Sequence, residues 1–598
     1  MDDIKKPKKR LRFLKLTLVI VVISGIILGF FAWYLNRQWR PRLKQTIQNT
    51  LIDASDSLYR VDFKNIGVNI LTGTVNVDSI FIRPNLRVYQ QMRKKGIAPE
   101  NIFELKITKL ILKKVNPVKV YRYRKLEIKD ITIQEPSLTV YYARLKNKKK
   151  NAEDHRTAFD RLKSVLKELK VGTLFLADVD FKYVDQSLKN PKTISLRRMN
   201  IRMTDILIDS TSQKDSNRLF STKDIQAEIN DYVYATPDSM YHLDIKHAYL
   251  STQKKQFVVS GVSLIPRYGD IAFSNHFDVQ QERYQFLFDS VLVDKINFNN
   301  LIESRTVSTS KLQVLNGDFS VFLNRDKPKK SVDKGRNFPQ FALKRVGWGI
   351  NADTVLFKNI NVSYTEYNPK TESKGTVVFS ELNGNVLNVT NDSLALLKNH
   401  LANADLEAKL MGKGDLNIHL TFDLTDPLAS FSYSGFLGSM NTSVLNPITK
   451  PLAMLMTSSG KINRMDFDFK GNLNKAEGTL KLHYSDLNLV LMKRGERDNF
   501  KKMGLISLFA NALLVEAANP AGNQPLRVVH PYCERPLEAS FFNLMWKAIY
   551  IGVKQSVGIT EEKEKRFLQR AEDFKDAKAH REQRRLERQQ QRADQQED

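Results

Sequence analysis

The sequence has a single cysteine, Cys533, and only nine histidines in 598 residues. One cysteine excludes a disulfide framework within the chain and a cysteine-based zinc or iron–sulfur site. The histidines form no HExxH pair, and the chain also lacks a GxSxG nucleophile motif and a phosphate-cradling glycine loop. Acidic pairs such as Asp466 and Asp468 alternate with phenylalanines, as on the outward face of a strand. The sequence therefore predicts no enzyme activity, no metal and no cofactor.

Long hydrophobic runs are also scarce, and only residues 16–35 reach spanning length. At about 1.5 Å per residue they match the roughly 30 Å hydrocarbon layer of a bilayer, which predicts a transmembrane helix. A cleaved secretory signal is the alternative, but its apolar core is usually about 7–15 residues long and a small-residue cleavage site follows it. Seven basic residues precede the segment and four follow closely. This asymmetry predicts a single-pass protein with residues 1–15 in the cytoplasm and the rest outside.

The charge balance is strongly basic, with 94 Lys and Arg against 65 Asp and Glu, for a net charge of +29. Residues 1–15 carry +5 of this and residues 561–598 are balanced, so +24 lies on the middle of the chain. With 42% apolar residues, the middle is too hydrophobic for a disordered basic polymer. An extracytoplasmic body meets anionic lipids and glycans, so we expect no nucleic-acid partner; a solvated basic surface without a specific partner is the alternative. Near-absence of cysteine in an exported chain favours a bacterial source.

Most of the body has the alternating pattern of half-buried β-strands. Apolar residues recur at every second position from Tyr59 onward, and polar residues fill the positions between them. This pattern continues to about residue 492, interrupted by two predicted helical segments near residues 87–95 and 154–170. The sequence therefore predicts a mainly β protein.

A recurring unit within these strands has apolar residues at positions 1, 3, 6 and 8 and usually a small or polar residue at position 5. The step from position 3 to position 6 would turn the side chain to the opposite face, so we predict a β-bulge at positions 4 and 5 that restores the phase and bends the strand. Chance recurrence of apolar pairs is the alternative. Six copies place these apolar residues on one face: Val75, Val77, Ile80 and Ile82; Leu126, Ile128, Ile131 and Ile133; Leu174, Leu176, Val179 and Phe181; Val259 and Val262; Val293 and Ile296; Phe357 and Ile360.

The C-terminal part has a different pattern. Residues 503–515 and 541–557 have helical spacing, and in the second segment one apolar stripe contains Phe541, Leu544 and Ala548. We expect this helix to pack on its own sheet; a membrane-surface or partner-binding helix is the alternative. Residues 561–598 are rich in charge and poor in apolar residues, which is typical of a solvated helical or disordered tail that could bind envelope proteins.

Several of these stretches resemble the AsmA-like proteins of Gram-negative envelopes. The resemblance rests on the single N-terminal anchor followed by SLYRVDFKNIGVNILTGTVNVDSIFIRPN, on KLEIKDITIQEPSLTVYY with its two apolar pairs, turn and proline, and on DLNIHLTFDLTDPLASFSYSGFLGSMNTSVLNPI. The stretch SGKINRMDFDFKGNLNKAEGTLKLHYSDLNLVLM continues it with alternating strands and spaced glycines. The tail and the helical segments near residues 154 and 503 have no counterpart in that pattern.

The resemblance implies a long, curled, mostly antiparallel sheet that forms an apolar groove for acyl chains. We expect the chain to divide into a basic N-terminus (1–15), an anchor (16–35), an N-terminal β region (36–145), a helical insertion (146–170), a β-groove region (171–492), a helical cap (493–560) and a tail (561–598). The resemblance implies an inner-membrane protein with a periplasmic body that binds phospholipid or another anionic lipid, and the apolar positions of the six copies are its candidate groove residues. An envelope scaffold that binds proteins or glycans is the rival hypothesis, and an envelope hydrolase is a third.

Overall fold

The computed structural model describes residues 55–69, 72–115, 122–144, 166–187, 192–212, 215–494 and 515–559, with short pieces at 119, 159–160, 163, 500–502 and within 562–584. Contacts divide the chain into two compact units. The first comprises residues 1–233, 244–261 and 292–309, and the second comprises residues 234–243, 262–291 and 310–598. The anchor predicted at residues 16–35, all but the last residue of the helix predicted at 503–515 and most of the tail lie outside the described residues. Within the part described, no helix is long and apolar enough to cross a membrane.

The protein is mainly β, as predicted, and its paired strands form one mixed sheet in which antiparallel pairs predominate. The strands are β1 (Tyr59–Asp62), β2 (Asn65–Asn69), β3 (Thr74–Pro84), β4 (Asn101–Val115), β5 (Lys125–Gln134), β6 (Ser137–Tyr142), β7 (Glu168–Asp185), β8 (Lys192–Ile208), β9 (Thr222–Ala235), β10 (Tyr241–Ser251), β11 (Gln256–Pro266), β12 (Arg283–Asp294), β13 (Thr306–Asn324), β14 (Gly349–Asn368), β15 (Ser373–Thr390), β16 (Leu401–Leu410), β17 (Gly414–Asp423), β18 (Phe431–Leu437), β19 (Met440–Asn441), β20 (Leu455–Gly471), β21 (Lys475–Arg494), β22 (Phe500–Lys502), β23 (Val528–Val529) and β24 (Tyr532–Glu534).

Short helices interrupt the strand series. They are α1 (Leu86–Lys94), α2 (Asp270–Ser274), α3 (Phe298–Glu303), α4 (Pro339–Lys344), α5 (Ser393–Lys398), α6 (Asn446–Ala453) and α7 (Phe541–Ser556), with 3-10 turns at Lys334–Asn337 and Thr442–Leu445. Helix α1 confirms the helix predicted near residues 87–95. The side chain of Asn85 caps it by accepting a hydrogen bond from the Arg87 N–H at 3.2 Å. Residues 493–560 were predicted to be helical, but their described part contains strands β22 to β24 as well as α7.

In the first unit, strands β3, β4 and β5 pair antiparallel in chain order, and β7 then pairs parallel to both β5 and β6. A parallel neighbour requires a crossover connection instead of a tight turn. The segment predicted as a helix near residues 154–170 provides it, and Phe159 and Asp160 in it are helical. The predicted boundary was wrong, because β7 begins at Glu168. Residues 168–170 are extended since they pair with Lys125, Leu126 and Glu127 of the parallel ladder.

In the second unit, strands β14 to β18 follow one another as antiparallel neighbours, and β18, β20 and β21 continue the series. Strands β13 and β14 are parallel. Three side-chain hydrogen bonds show this, because each joins residues 43 positions apart: Asn359 to Asn316, Asn361 to Asp318 and Ser363 to Ser320. The connection between them, residues 325–348, carries the first 3-10 turn and α4. The connection that leads into β7 and the one that leads into β14 therefore both contain helical residues.

The bulge predicted at positions 4 and 5 of the recurring unit is confirmed by a shift of strand register at two copies, those of Asp178 and Asn359. The residue at position 5 has a left-handed φ in five of the six copies: 50° at Ser79, 53° at Asp178, 60° at Gly261, 55° at Lys295 and 54° at Asn359. Strand β3 nevertheless keeps its register with β4 across Ser79. The remaining copy keeps the same phase without a left-handed residue, since both its inner apolar residues are buried: Ile128 and Ile131. A left-handed residue in a strand shifts the phase of the alternation by one position.

The structure adds that bulges on neighbouring strands occur in pairs. Opposite Asp178 in β7, the partner strand β8 has its own left-handed residue, Arg198 with φ of 53°. The register shifts by one residue at the first bulge and returns at the second. Asn359 in β14 and Glu381 in β15, with φ of 54° each, repeat the arrangement. Paired bulges let both strands change phase together, so the apolar face of the sheet stays continuous.

Helix α7 packs on its own sheet, as expected. Its buried stripe includes Phe541, Leu544 and Ala548, and these side chains join a cluster with strands β18, β20 and β21. Gly552 permits the close approach, because a Cβ there would lie 3.0 Å from Leu480 Cδ1. The outer face of the helix leaves Phe542 exposed.

Candidate functional site

The apolar face of the sheet is the candidate site, and its first-unit part is a filled core. Eleven of the candidate groove residues in β3, β5 and β7 are at most 8% exposed and belong to one cluster, with Phe181 packed at its margin. Tyr89 of α1 and Leu166 are buried in the same cluster. The eleven are Val75, Val77, Ile80, Ile82, Leu126, Ile128, Ile131, Ile133, Leu174, Leu176 and Val179.

The later candidate residues have mixed exposure. Val259, Ile296 and Ile360 are buried, whereas Val262, Val293 and Phe357 are half-buried. The recurring unit therefore predicts which residues share a face, but it does not predict whether that face is covered.

In the second unit, the two faces of strands β13 and β14 are chemically distinct. One carries the ladder of amide, carboxylate and hydroxyl side chains that joins the two strands. Alternation places Phe319 and Val362 on the opposite face, because each follows a residue of this ladder. Both side chains are half-buried.

Aromatic residues of β12 extend this apolar face. The rings of Phe286 and Phe288 stack with centroids 5.1 Å apart, and Tyr284 stacks on Phe319 at 6.4 Å. Residues 284, 286 and 288 alternate with exposed Leu287, so they share one face of the strand. Sequence reasoning missed these residues because Phe286, Leu287 and Phe288 are consecutive and apolar, and only the neighbouring strand decides which of them point inward.

Strand β15 continues the apolar face on the other side of β14. Leu382 pairs with Ile360 and Val386 pairs with Val355, and the intervening Asn383 and Asn385 are exposed. Leu382 and Val386 are both half-buried. We call the following six residues the half-exposed strip: Phe286, Phe288, Phe319, Val362, Leu382 and Val386.

The face becomes fully covered toward the C-terminal strands. Phe431, Tyr433 and Phe469 are at most 5% exposed and lie in the cluster that α7 joins. Phe338, from the connection before β14, also packs there, with its ring 5.6 Å from that of Phe541. The helix thus covers one end of the apolar face of the second unit and leaves the half-exposed strip accessible.

Polar groups follow the strip along β14. The Tyr364 hydroxyl donates to Glu366 Oε1 at 2.8 Å, and Arg325 Nη1 lies 3.2 Å from Glu366 Oε2. Burial raises the pKa of Tyr364 well above its ordinary value, and the neighbouring Glu366 carboxylate raises it further. The phenol is therefore neutral at physiological pH. Because Val362 and Tyr364 lie two positions apart, the apolar strip passes directly into a hydrogen-bonded, charged region.

One histidine on the polar face has the neighbours of a hydrolytic triad. His419 Nδ1 lies 2.6 Å from Asp405 Oδ1, and its Nε2 lies 3.4 Å from Thr421 Oγ1. The Thr421 hydroxyl donates to Asn403 Oδ1 at 2.9 Å, so its proton already has an acceptor. The group is a cross-strand ladder on a solvent-exposed face. Among the residues described, no cluster of three or more His, Cys, Asp or Glu side chains is arranged to hold a metal ion.

Comparison of the chain with protein-family models and with curated proteins finds no match.

Proposed function

We propose that this chain is a lipid-binding protein of a bacterial envelope, related to the AsmA-like proteins, that holds acyl chains against the half-exposed strip. In this proposal residues 16–35 anchor it in the inner membrane, and its periplasmic body takes part in phospholipid transport or outer-membrane lipid homeostasis. The observation that carries the proposal is a sheet face lined with aromatic and aliphatic side chains that no protein segment fully covers in the described part of the second unit.

The energetics of an accessible apolar face support an acyl-chain ligand. Each methylene group that leaves water contributes about 0.8 kcal/mol, so about ten methylenes on the strip would contribute about 8 kcal/mol before the costs of association. An acyl chain also fits the layout of the strip, because its side chains come from four strands, β12 to β15, and neighbouring strands are only about 4.8 Å apart.

The charged groups at the end of β14 support a lipid with a polar headgroup. Arg325 is about half exposed, and Lys334 forms an ion pair with Glu282 at 2.6 Å. A headgroup remains in water beside such groups while its chains contact the strip. The net charge of +24 on the middle of the chain favours an anionic headgroup.

The rival function, an envelope scaffold or assembly factor, has support from the first unit. There the recurring unit builds a filled core, in which Val77, Leu126 and Leu174 are at most 1% exposed. A protein whose apolar face is packed shut would bind partners through its outer surface or its tail. The two functions differ in whether lipid accompanies the protein.

The test compares two aspartate substitutions at adjacent residues of β15. Leu382→Asp places a carboxylate in the half-exposed strip, whereas Asn383→Asp places it on the opposite, exposed face and retains the oxygen that accepts the Asn359 N–H at 2.9 Å. The full-length protein, extracted gently, would be examined by native mass spectrometry. We expect wild type and Asn383→Asp to carry phospholipid. Leu382→Asp should carry at least tenfold less bound phospholipid than wild type, because a carboxylate against acyl chains is poorly solvated.

Thermal unfolding provides the control, since Leu382 is half-buried and its replacement should leave the protein folded. Equal lipid content in all three proteins would refute binding at the strip. Absence of lipid from wild type would favour the scaffold.

A further inference from the structure

An exposed apolar patch lies where two connections of the second unit meet. One connection leads into β14 and contains Val346 and Trp348, and the other carries α5 between β15 and β16. Asn391 joins them, because its Nδ2 donates to the main-chain oxygens of Leu343 and Trp348, both at 3.0 Å. Its Oδ1 also accepts from the main-chain N–H of Ile350. Together with the hydrogen bonds that the Asn391 N–H and the Thr390 hydroxyl donate to the Ile350 carbonyl, these contacts hold the two segments beside each other.

The apolar side chains of these segments are unusually exposed. Leu397 is 84% exposed and Leu394 is 70% exposed, and Trp348 and Val346 are 53% and 42% exposed. Leu397 is the most exposed large apolar side chain of the described residues. Single exposed apolar residues are ordinary, but four on two joined segments form a patch of the kind that marks an interaction site.

The helix that presents the two leucines is held in place at its start. The Asp392 carboxylate accepts hydrogen bonds from the Leu394 and Ala395 N–H groups at 3.1 and 3.0 Å. Leu394 and Leu397 are three residues apart, so they lie on the same side of α5. Both leucines are consequently displayed together on a capped helix.

The two segments of the patch carry exposed cations. Residues 343–350 and 393–400 contain Lys344, Arg345 and Lys398 and no aspartate or glutamate. All three cations are exposed. Three carboxylates lie near these segments. Asp392 caps the helix, Asp423 Oδ2 lies 3.8 Å from His400 Nε2, and Asp426 interacts electrostatically with Lys344. All three accept main-chain N–H hydrogen bonds in local turns or caps.

We propose that this patch docks the protein on the surface of an anionic lipid bilayer. Such a surface is recognised by three kinds of side chain: leucines that insert below the headgroups, a tryptophan at the interface and flanking cations. A protein interface of standard size takes about 20–30 residues from each partner, which is far more than this patch has. The proposal goes beyond lipid carriage, because docking requires only the patch and not the half-exposed strip.

The experiment uses the full-length protein in nanodiscs of phosphatidylcholine and measures its co-flotation with added vesicles. The vesicles consist of phosphatidylcholine alone or with about a third phosphatidylglycerol. We expect wild type to float with the anionic vesicles and to be released by salt. The double variant Leu394→Ser/Leu397→Ser should bind at least tenfold less. Lys344→Glu/Arg345→Glu should lose the preference for anionic vesicles.

The matched control is Leu86→Ser, which removes a leucine that is 59% exposed on α1 and should leave flotation unchanged. Failure of wild type to float, or an equal loss in the control, would overturn the proposal. Loss of self-association in the double variant, with flotation unchanged, would assign the patch to a second copy of the chain instead. Leu382→Asp should float normally, so docking and lipid carriage can fail independently.

Discussion

A β-branched residue at Asp178 should destabilise strand β7, whereas glycine should not. Asp178 has φ of 53° within an 18-residue strand, and its main-chain N–H donates to Asn200 Oδ1 at 3.1 Å. Its side chain is exposed, so a substitution acts mainly through the backbone. The left-handed conformation costs an L-residue about 1–2 kcal/mol, and a β-branched residue tolerates it least. We expect Asp178→Val to cost about that amount.

Glycine has no Cβ penalty in this conformation but loses about 0.5–1 kcal/mol of chain entropy on folding. Asp178→Gly should therefore change the stability little. Native-state hydrogen exchange of the β7 and β8 amides measures the local opening free energy, and 1–2 kcal/mol corresponds to about 5–30-fold faster exchange.

Lys182→Val is the matched control, because Lys182 is exposed on the same strand and pairs in register with Ser195. Valine favours an extended strand, so exchange should be unchanged or slower. The reasoning is refuted if Asp178→Val and Lys182→Val exchange alike, or if Asp178→Gly is the least stable of the three.

Two further predictions concern buried groups. Burial alone would raise the pKa of Asp224, but the hydrogen bonds that its carboxylate accepts, including one from the Gln253 N–H, lower the pKa by more, so the net pKa is below its ordinary value. The stability that the ionised carboxylate contributes is therefore present above about pH 4 and is lost as the pH falls through the lowered pKa. Asp224→Asn should remove that acid-dependent loss from the thermal unfolding midpoint, and an identical pH profile would contradict this. Leu544→Ala should cost about 2–5 kcal/mol, since Leu544 of α7 is fully buried against the sheet. Cys533 is 2% exposed in the same cluster, so its rate of thiol labelling should rise in Leu544→Ala. The rate should stay nearly constant in Trp546→Ala, because Trp546 is half exposed. Equal rates in the two variants would show that α7 does not protect this cluster.

The prediction of secondary structure from the sequence was accurate where the pattern was local. Helix α1, the buried stripe of α7 and the bulge at Asn359 follow from spacing and residue type within one segment. The start of β7 at Glu168 was wrong, because residues 168–170 become extended only by pairing with a distant strand. The parallel pairing itself was not predicted, since it depends on how the crossover connection returns.

The candidate site was predicted less well. The recurring unit marked Ile131 and Val179 as groove residues, yet both lie in a filled core. Phe288 and Phe319 carry no signal of the unit, although they line the accessible face. Coverage of a face depends on which helix or connection packs over it, and that is a long-range property.

The amino-acid sequence by itself therefore determined the strand series and the phase of its apolar positions, because a bulge and its left-handed residue are set within about eight residues. Only the tertiary structure decided which bulges pair, where the sheet has parallel neighbours and which part of the apolar face is accessible. These features arise from contacts between residues far apart in the chain, such as Phe338 with Phe541, and no local pattern encodes them.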